Sequence, residues 1–231
     1  MKILYDILKD NRRNFHQVVR FDSERDKLLL MDFTKNNQEL NGTITGDTAK
    51  FIGYINSKLE KAAAKFGIGG YLEYRELYSR SHVFDSGEEP RRLHLGIDIW
   101  GKPYSAVMSP LDAIVNSFAF NDNFGDYGAT LILTHNLEGC PFHTLYGHLS
   151  LNSIKNFREG INIKKGDVIG EFGIPSENGR WPPHLHFQII FDMGEWRGDY
   201  PGVCKLSEKE KYLRNCPDPD MILQMMKYAK N

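Results

Sequence analysis

The chain has 231 residues, 41% apolar and 26% charged, with 29 Lys+Arg against 30 Asp+Glu and a net charge of −1. That length holds one domain, or one with an appendage, and buries a core without staples. The missing basic excess argues against a nucleic-acid binder, and the longest aliphatic block, Leu28–Met31, falls far short of the roughly 18 apolar residues of a membrane span.

Cys140, Cys204 and Cys216 have no C-x-x-C spacing, so they suggest neither a disulfide framework nor a structural zinc site. The opening MKILYDILKDNRRNF lacks an apolar h-region and a cleavage site. The sequence as written therefore points to the cytoplasm, with the periplasm or cell envelope expected only if a signal has been removed.

In chain order, Leu4, Ile7 and Leu8 mark a helix over 2–10. Val18–Phe21 and Lys27–Phe33 read as short strands. Phe51, Ile55, Leu59, Ala63 and Phe66 recur at spacings of three and four, which predicts a helix over 48–66 with Gly67 as its C-cap. Phe66-Gly-Ile-Gly-Gly70 reads as a hinge-like turn, because the G-x-G-x-x-G spacing is absent. From about 91 to 200 the period shifts toward two. Strands are expected at Ala113–Phe120, Ala129–His135, His143–His148, Asp167–Gly170 and His184–Phe191, separated by Gly, Asn, Asp and Pro. The tail returns to helix, with Ser207 and Glu210 spaced as a capping box and Asp218-Pro219 as an N-terminal pair. The expected class is mainly β, α+β overall, in three parts: an N-terminal α+β region (1–88), an antiparallel β domain (89–203) and a helical tail (204–231).

Six of the eight histidines fall between 94 and 186. In His184-Leu185-His186, residues i and i+2 of a strand share a face, roughly 7 Å apart. One imidazole can ligate a metal while the other stands beside it, with Leu185 and Phe187 facing the core; alternatively, both are surface residues on an edge strand. His94-Leu-Gly-Ile-Asp98 needs a bend, since a straight strand would hold its two ligand types about 13 Å apart, and Gly96 permits one. Read together, His94, Asp98 and one histidine of the pair make a His₂Asp set. Three ligands without thiolate, leaving a fourth position open, is the pattern of catalytic zinc.

At these residues the chain resembles the lysostaphin-type zinc metalloendopeptidases, which cut peptidoglycan cross-bridges. The family's H-x-G-x-D appears as HLGID at 94–98, its H-x-H as HLH at 184–186, and its Y-x-H-L-S as Tyr146-Gly-His148-Leu-Ser150. GDYG at 125–128 and KKGDVIGEFG at 164–173 follow the family's order. The resemblance covers about residues 91–191. It implies the fold called a duplicated hybrid motif and one zinc ion held by His94, Asp98 and His186. It also implies His148 and His184 as catalytic histidines flanking the metal-bound water, and a peptide or muropeptide substrate. Histidine must move the protons, because no H-E-x-x-H glutamate is present.

Trp181, Tyr127 and Arg92 are weaker candidates for substrate contact, and Arg91 shares the last role. Glu73 and Arg75 read as a structural ion pair elsewhere. His16, His82 and His143 read as structural, with His135 near the site. Gln188 stands where the family has Glu, and the bulky Ile174–Pro183 approach to the H-x-H reshapes one groove wall. These departures leave two other readings: a zinc amidohydrolase acting on a cytosolic small-molecule amide, and a catalytically silent binding module. Against the latter stands the presence of all three ligand types and both histidines.

Overall fold

The computed structural model describes residues 4–85 and 87–230. Its strands are β1 (Leu28–Leu30), β2 (Phe66–Gly69), β3 (Leu93–His94), β4 (Ile97–Trp100), β5 (Ala106–Met108), β6 (Ala113–Asn121), β7 (Gly128–Leu137), β8 (Cys140–Leu149), β9 (Asn162–Ile163), β10 (Val168–Glu171), β11 (His184–Ile190), β12 (Val203–Cys204) and β13 (Ala229–Lys230). The fold is mainly β, with few helices. One large sheet runs in the order β13-β1-β2-β4-β11-β8-β7-β6-β9. From β2 to β9 every neighbouring pair is antiparallel, while β13, β1 and β2 run parallel. Within 89–203 the sheet is antiparallel, as expected there, and the parallel pairs come from strands of the segments on either side. The three sequence segments all contribute strands to it.

Side-chain alternation places the site. In β11, Leu185, Phe187 and Ile189 enter the main core with Ile97 and Ile99 of β4. Their neighbours His184, His186 and Gln188 face the other way, as a period of two requires. Both faces of β11 are covered, so all seven of its residues are buried. Register fixes the cross-strand partners: His186 lies opposite Asp98, His184 opposite Trp100, and Gly147 of β8 opposite His186.

The expected helix over 2–10 is observed as Leu4–Asp10, with residues 2 and 3 outside the described residues. The helix predicted over 48–66 ends at Ala62, where Ala63 turns left-handed (φ 48°). Asp47 caps its start by accepting from the Ala49 and Lys50 amides. Its buried face, Phe51, Ile55 and Leu59, packs on Trp100, Tyr78 and Trp181. This helix thus braces the wall behind the histidines.

The glycine-rich turn expected at 66–70 is instead β2, paired with both β1 and β4. Its glycines serve close approach: a Cβ at Gly69 would lie 2.5 Å from the Met31 carbonyl oxygen, and one at Gly67 would lie 2.7 Å from Met31 Cγ. The strand expected at Val18–Phe21 reduces to a single bridge, Val19 to Val107. The strand expected over 27–33 pairs only at Leu28–Leu30. The Ser207 hydroxyl donates to Glu89 rather than capping the helix Lys209–Asn215, whose N-cap is Glu208. Among the described residues no helix is long and apolar enough to cross a membrane.

Candidate active site

His94 closes β3 and Asp98 lies on β4, with the chain bent at Gly96 between them. The bend brings the two side chains together, and Gly96 also makes room: a Cβ there would sit 2.4 Å from His186 Cε1. Gly147 does the same on β8, where a Cβ would lie 2.4 Å from the Tyr127 ring. That ring reaches over the strand, so its hydroxyl lies 3.3 Å from His186 Nε2.

The hydrogen-bond network assigns the ring protons. A carbonyl only accepts, so the ring nitrogen facing one carries the hydrogen. His94 Nδ1 donates to Gly70 O (2.8 Å), His148 Nδ1 to Asn178 O (2.9 Å) and His184 Nδ1 to Pro182 O (2.8 Å). The Nε2 lone pairs of all three are thereby left free. His186 is reversed: its Nε2 donates to Gln188 Oε1 (2.9 Å), whose amide nitrogen donates to Pro201 O (3.2 Å).

Three acceptors then converge: His94 Nε2, His186 Nδ1 and Asp98 Oδ1. They lie 2.9 Å apart between the two nitrogens, and 3.3 and 3.2 Å from the carboxylate oxygen. No proton stands between them. Such a set repels itself unless a cation sits in its midst. A tetrahedral zinc with bonds near 2.0–2.1 Å spaces its donors by about 3.3 Å, and these residues fit it.

Every member is buried: His94 0%, Asp98 2% and His186 3% exposed. Burial, then the neighbouring Arg75 charge, pushes the His94 imidazolium down to about 3. Burial opposes ionisation of Asp98, but the charges of His94 and Arg75 and its hydrogen bonds hold the carboxyl well below the usual range. Of these charges Arg75 alone persists at neutral pH, because His94 is then neutral.

Beside this cluster stand His148 and His184, their ring centroids 4.1 Å apart. His184 stacks on Trp100 at 4.0 Å and 14°. Burial pushes His184 down to about 4, and burial with the nearby His184 ring lowers His148 well below its ordinary value. Both are neutral proton acceptors at pH 7. His148 has φ 62°, a left-handed conformation uncommon outside glycine. Bonds from its own N–H to Tyr127 O and from Gly173 N–H to its carbonyl hold it there. Strain of this kind persists where the surroundings fix it and clusters at working sites.

The five residues the sequence singled out for metal and proton transfer are thus brought together. Tyr127 and Trp181 line the same cavity of about 210 Å³. Arg92 does not: its guanidinium is held by Asp85 and the Arg91 carbonyl, and Arg91 lines the cavity in its place. Three groups of contributors were not foreseen. Arg75, expected in an ion pair elsewhere, donates to Asp98 Oδ2 (2.5 Å), Glu73 Oε2 (2.6 Å) and the Tyr78 hydroxyl (3.0 Å). Tyr78 and Phe84 form a wall with Leu77 and Val83, and Asp126 and Asp199 line the cavity on other segments. The signal that marked Arg75 was the Glu73–Arg75 spacing; its partner Asp98 lies 23 residues away.

Residues 92–196 match Peptidase family M23. The chain is 27% identical over 188 residues to the L-Ala–D-Glu endopeptidase of Bacillus subtilis (strain 168), an alignment covering 78% of this chain and 54% of that protein. It therefore spans about half the length of that relative. Among solved structures, a zinc-containing peptidase from Vibrio cholerae shares 28% identity over 42% of this chain and 27% of its own, with a TM-score of 0.34. The catalytic domain of lysostaphin from Staphylococcus simulans shares 21% identity over 69% of this chain and 97% of its own, with a TM-score of 0.41. The segment that supplies His94, Asp98, His148, His184 and His186 is a Peptidase family M23 domain.

Proposed function

We propose that the protein is a zinc-dependent metallopeptidase that hydrolyses an amide bond in a peptide of the peptidoglycan type. One observation carries the reading. Three buried acceptor atoms converge with no proton among them, flanked by the free Nε2 atoms of His148 and His184. The family match and the B. subtilis relative support the substrate class.

His94, Asp98 and His186 would hold the ion. When bound, zinc supplies Lewis acidity, polarising the scissile carbonyl and acidifying a water. The chain's own groups do the rest. Gln188 and Gly70 fix the ring tautomers of the two ligand histidines, so their lone pairs face the centre. Neutral His148 and His184 accept the proton of the attacking water and return it to the leaving nitrogen. Their Nδ1–H bonds to backbone carbonyls steady the imidazolium that forms, as a carboxylate does in other catalytic pairs. The Tyr127 hydroxyl faces the same space.

The test is mass spectrometry of cross-linked muropeptides and free stem peptides after incubation with zinc-loaded protein. Parallel samples of His184→Ala are checked for metal content. New amide-cleavage products, absent in a variant that keeps its zinc, are the expected result. Intact substrates with zinc bound would overturn the proposal.

A further inference from the structure

Resting on the hydrolase reading, we propose that the cavity takes the free end of a short peptide, with its ammonium group set against Asp126 and Asp199. The enzyme would then act on small, amino-terminated fragments rather than within a long polymer.

The first observation is size. Leu77, Tyr78, Val83, Phe84, Trp196 and Tyr200 are among the residues that line the cavity. The volume, about 210 Å³, is below the roughly 300–1,000 Å³ of sites that take drug-sized ligands. It holds only a short piece of chain.

The second observation is charge. Asp126 and Asp199 line this cavity, and neither has a cation within ion-pairing distance among the described residues. Asp126 accepts from the Tyr127 amide and Asn123 Nδ2, and Asp199 accepts from the Tyr200 amide. Arg91 lines the same cavity but directs its guanidinium to the Val83 carbonyl. Burial first, then the charge of Asp126, raises the Asp199 carboxyl, with the Tyr200 amide bond and the more distant Arg91 charge offsetting this only in part. Two partly buried carboxylates near one another are costly without a cation, and a substrate ammonium supplies one.

The third observation comes from the opposite kind of group. Trp181, 4% exposed, lines the cavity, and among the described residues its indole Nε1 has no hydrogen-bond partner. Buried donors without acceptors call for acceptors from a ligand. The carbonyl and terminal carboxylate of a short peptide are such acceptors.

The experiment uses zinc-loaded protein and two probe pairs: glycylglycine and L-alanyl-D-glutamate, each with its N-acetyl form. Binding is measured by calorimetry in the His184→Ala background and cleavage in the unmodified chain. Both are repeated with Asp126→Asn/Asp199→Asn. Zinc is present in every sample, so any hold of the metal on the amine cancels in the comparison. The free amines are expected to bind at least 10-fold more tightly than the acetylated forms, and the double substitution closes that gap. Equal affinity for both forms overturns the proposal, as does cleavage of cross-linked polymer as fast as of short peptides. Selective binding without cleavage of these dipeptides supports the ammonium site, while the hydrolase reading is decided separately by the muropeptide and stem-peptide assay.

Discussion

Replacing Arg75 by Met tests the claim that this guanidinium holds the Asp98 carboxylate in place. Arg75 is 1% exposed and bridges Asp98, Glu73 and Tyr78. It also packs 5.1 Å from the Phe33 ring centroid. Methionine keeps most of the volume but leaves Asp98 Oδ2 without its cation. Breaking a buried pair by removing one partner costs about 3–5 kcal/mol. For a chain of this size each kcal/mol lowers Tm by about 2–4 °C, so the expected fall is about 6–20 °C. The decisive assay is a urea-denaturation cycle with Asp98→Asn. With the Asp98 charge already gone, Arg75→Met should cost less by about 1–3 kcal/mol, the coupling usual for residues in direct contact. Zinc, by bringing a new cation to Asp98, should narrow the gap further. If Arg75→Met costs the same in both backgrounds, within about 0.5 kcal/mol, Arg75 is only packing and the argument fails.

Gly96→Ala places a Cβ against the His186 ring, so zinc affinity, measured by competition with a chelator, should fall about 10–100-fold; unchanged affinity would show that the ring has room to move. Acid should destabilise the metal-free protein. Burial pushes His135 down to about 4, with the Asp112 carbonyl bond opposing the shift only in part. It therefore binds its proton more weakly folded than unfolded, and stability falls as pH drops from about 6.5 toward 4, by about 1.4 kcal/mol per pH unit. His184, also near 4, and His94, near 3, add to the same trend. Urea midpoints at several pH values should show His135→Gln with the shallower slope; equal slopes would refute the assignment.

Much of the site was legible because its chemistry is local in sequence. HLGID and HLH each set two side chains by strand geometry, and the bend at Gly96 follows from the distance a straight strand would impose. The joining of these motifs across about 90 residues is a matter of sheet order, and there the family resemblance supplied what spacing does not. Arg75 was hidden because Glu73–Arg75 looks like any solvated ion pair until Asp98 is placed beside it. Phe66–Gly70 was misread because glycines that signal turns also serve close backbone approach, and only the neighbouring Met31 distinguishes the two. The Ser207 cap was lost to a distant competitor, Glu89. Arg92 was displaced by its neighbour because adjacent residues of an extended chain point to opposite sides.

Strand β4 carries Asp98 between β11 and β2, and β2 belongs to the segment that precedes the histidine motifs. The sequence of β4, Ile97-Asp-Ile-Trp100, is short, fully buried and apolar but for Asp98. If β2 peeled away to admit a substrate, this strand would become a bare edge, ready to pair with the same edge of a second molecule. Opening the site by undocking that segment would thus invite self-association. Entry of a substrate through the loops that wall the cavity would leave β2 paired and that edge covered.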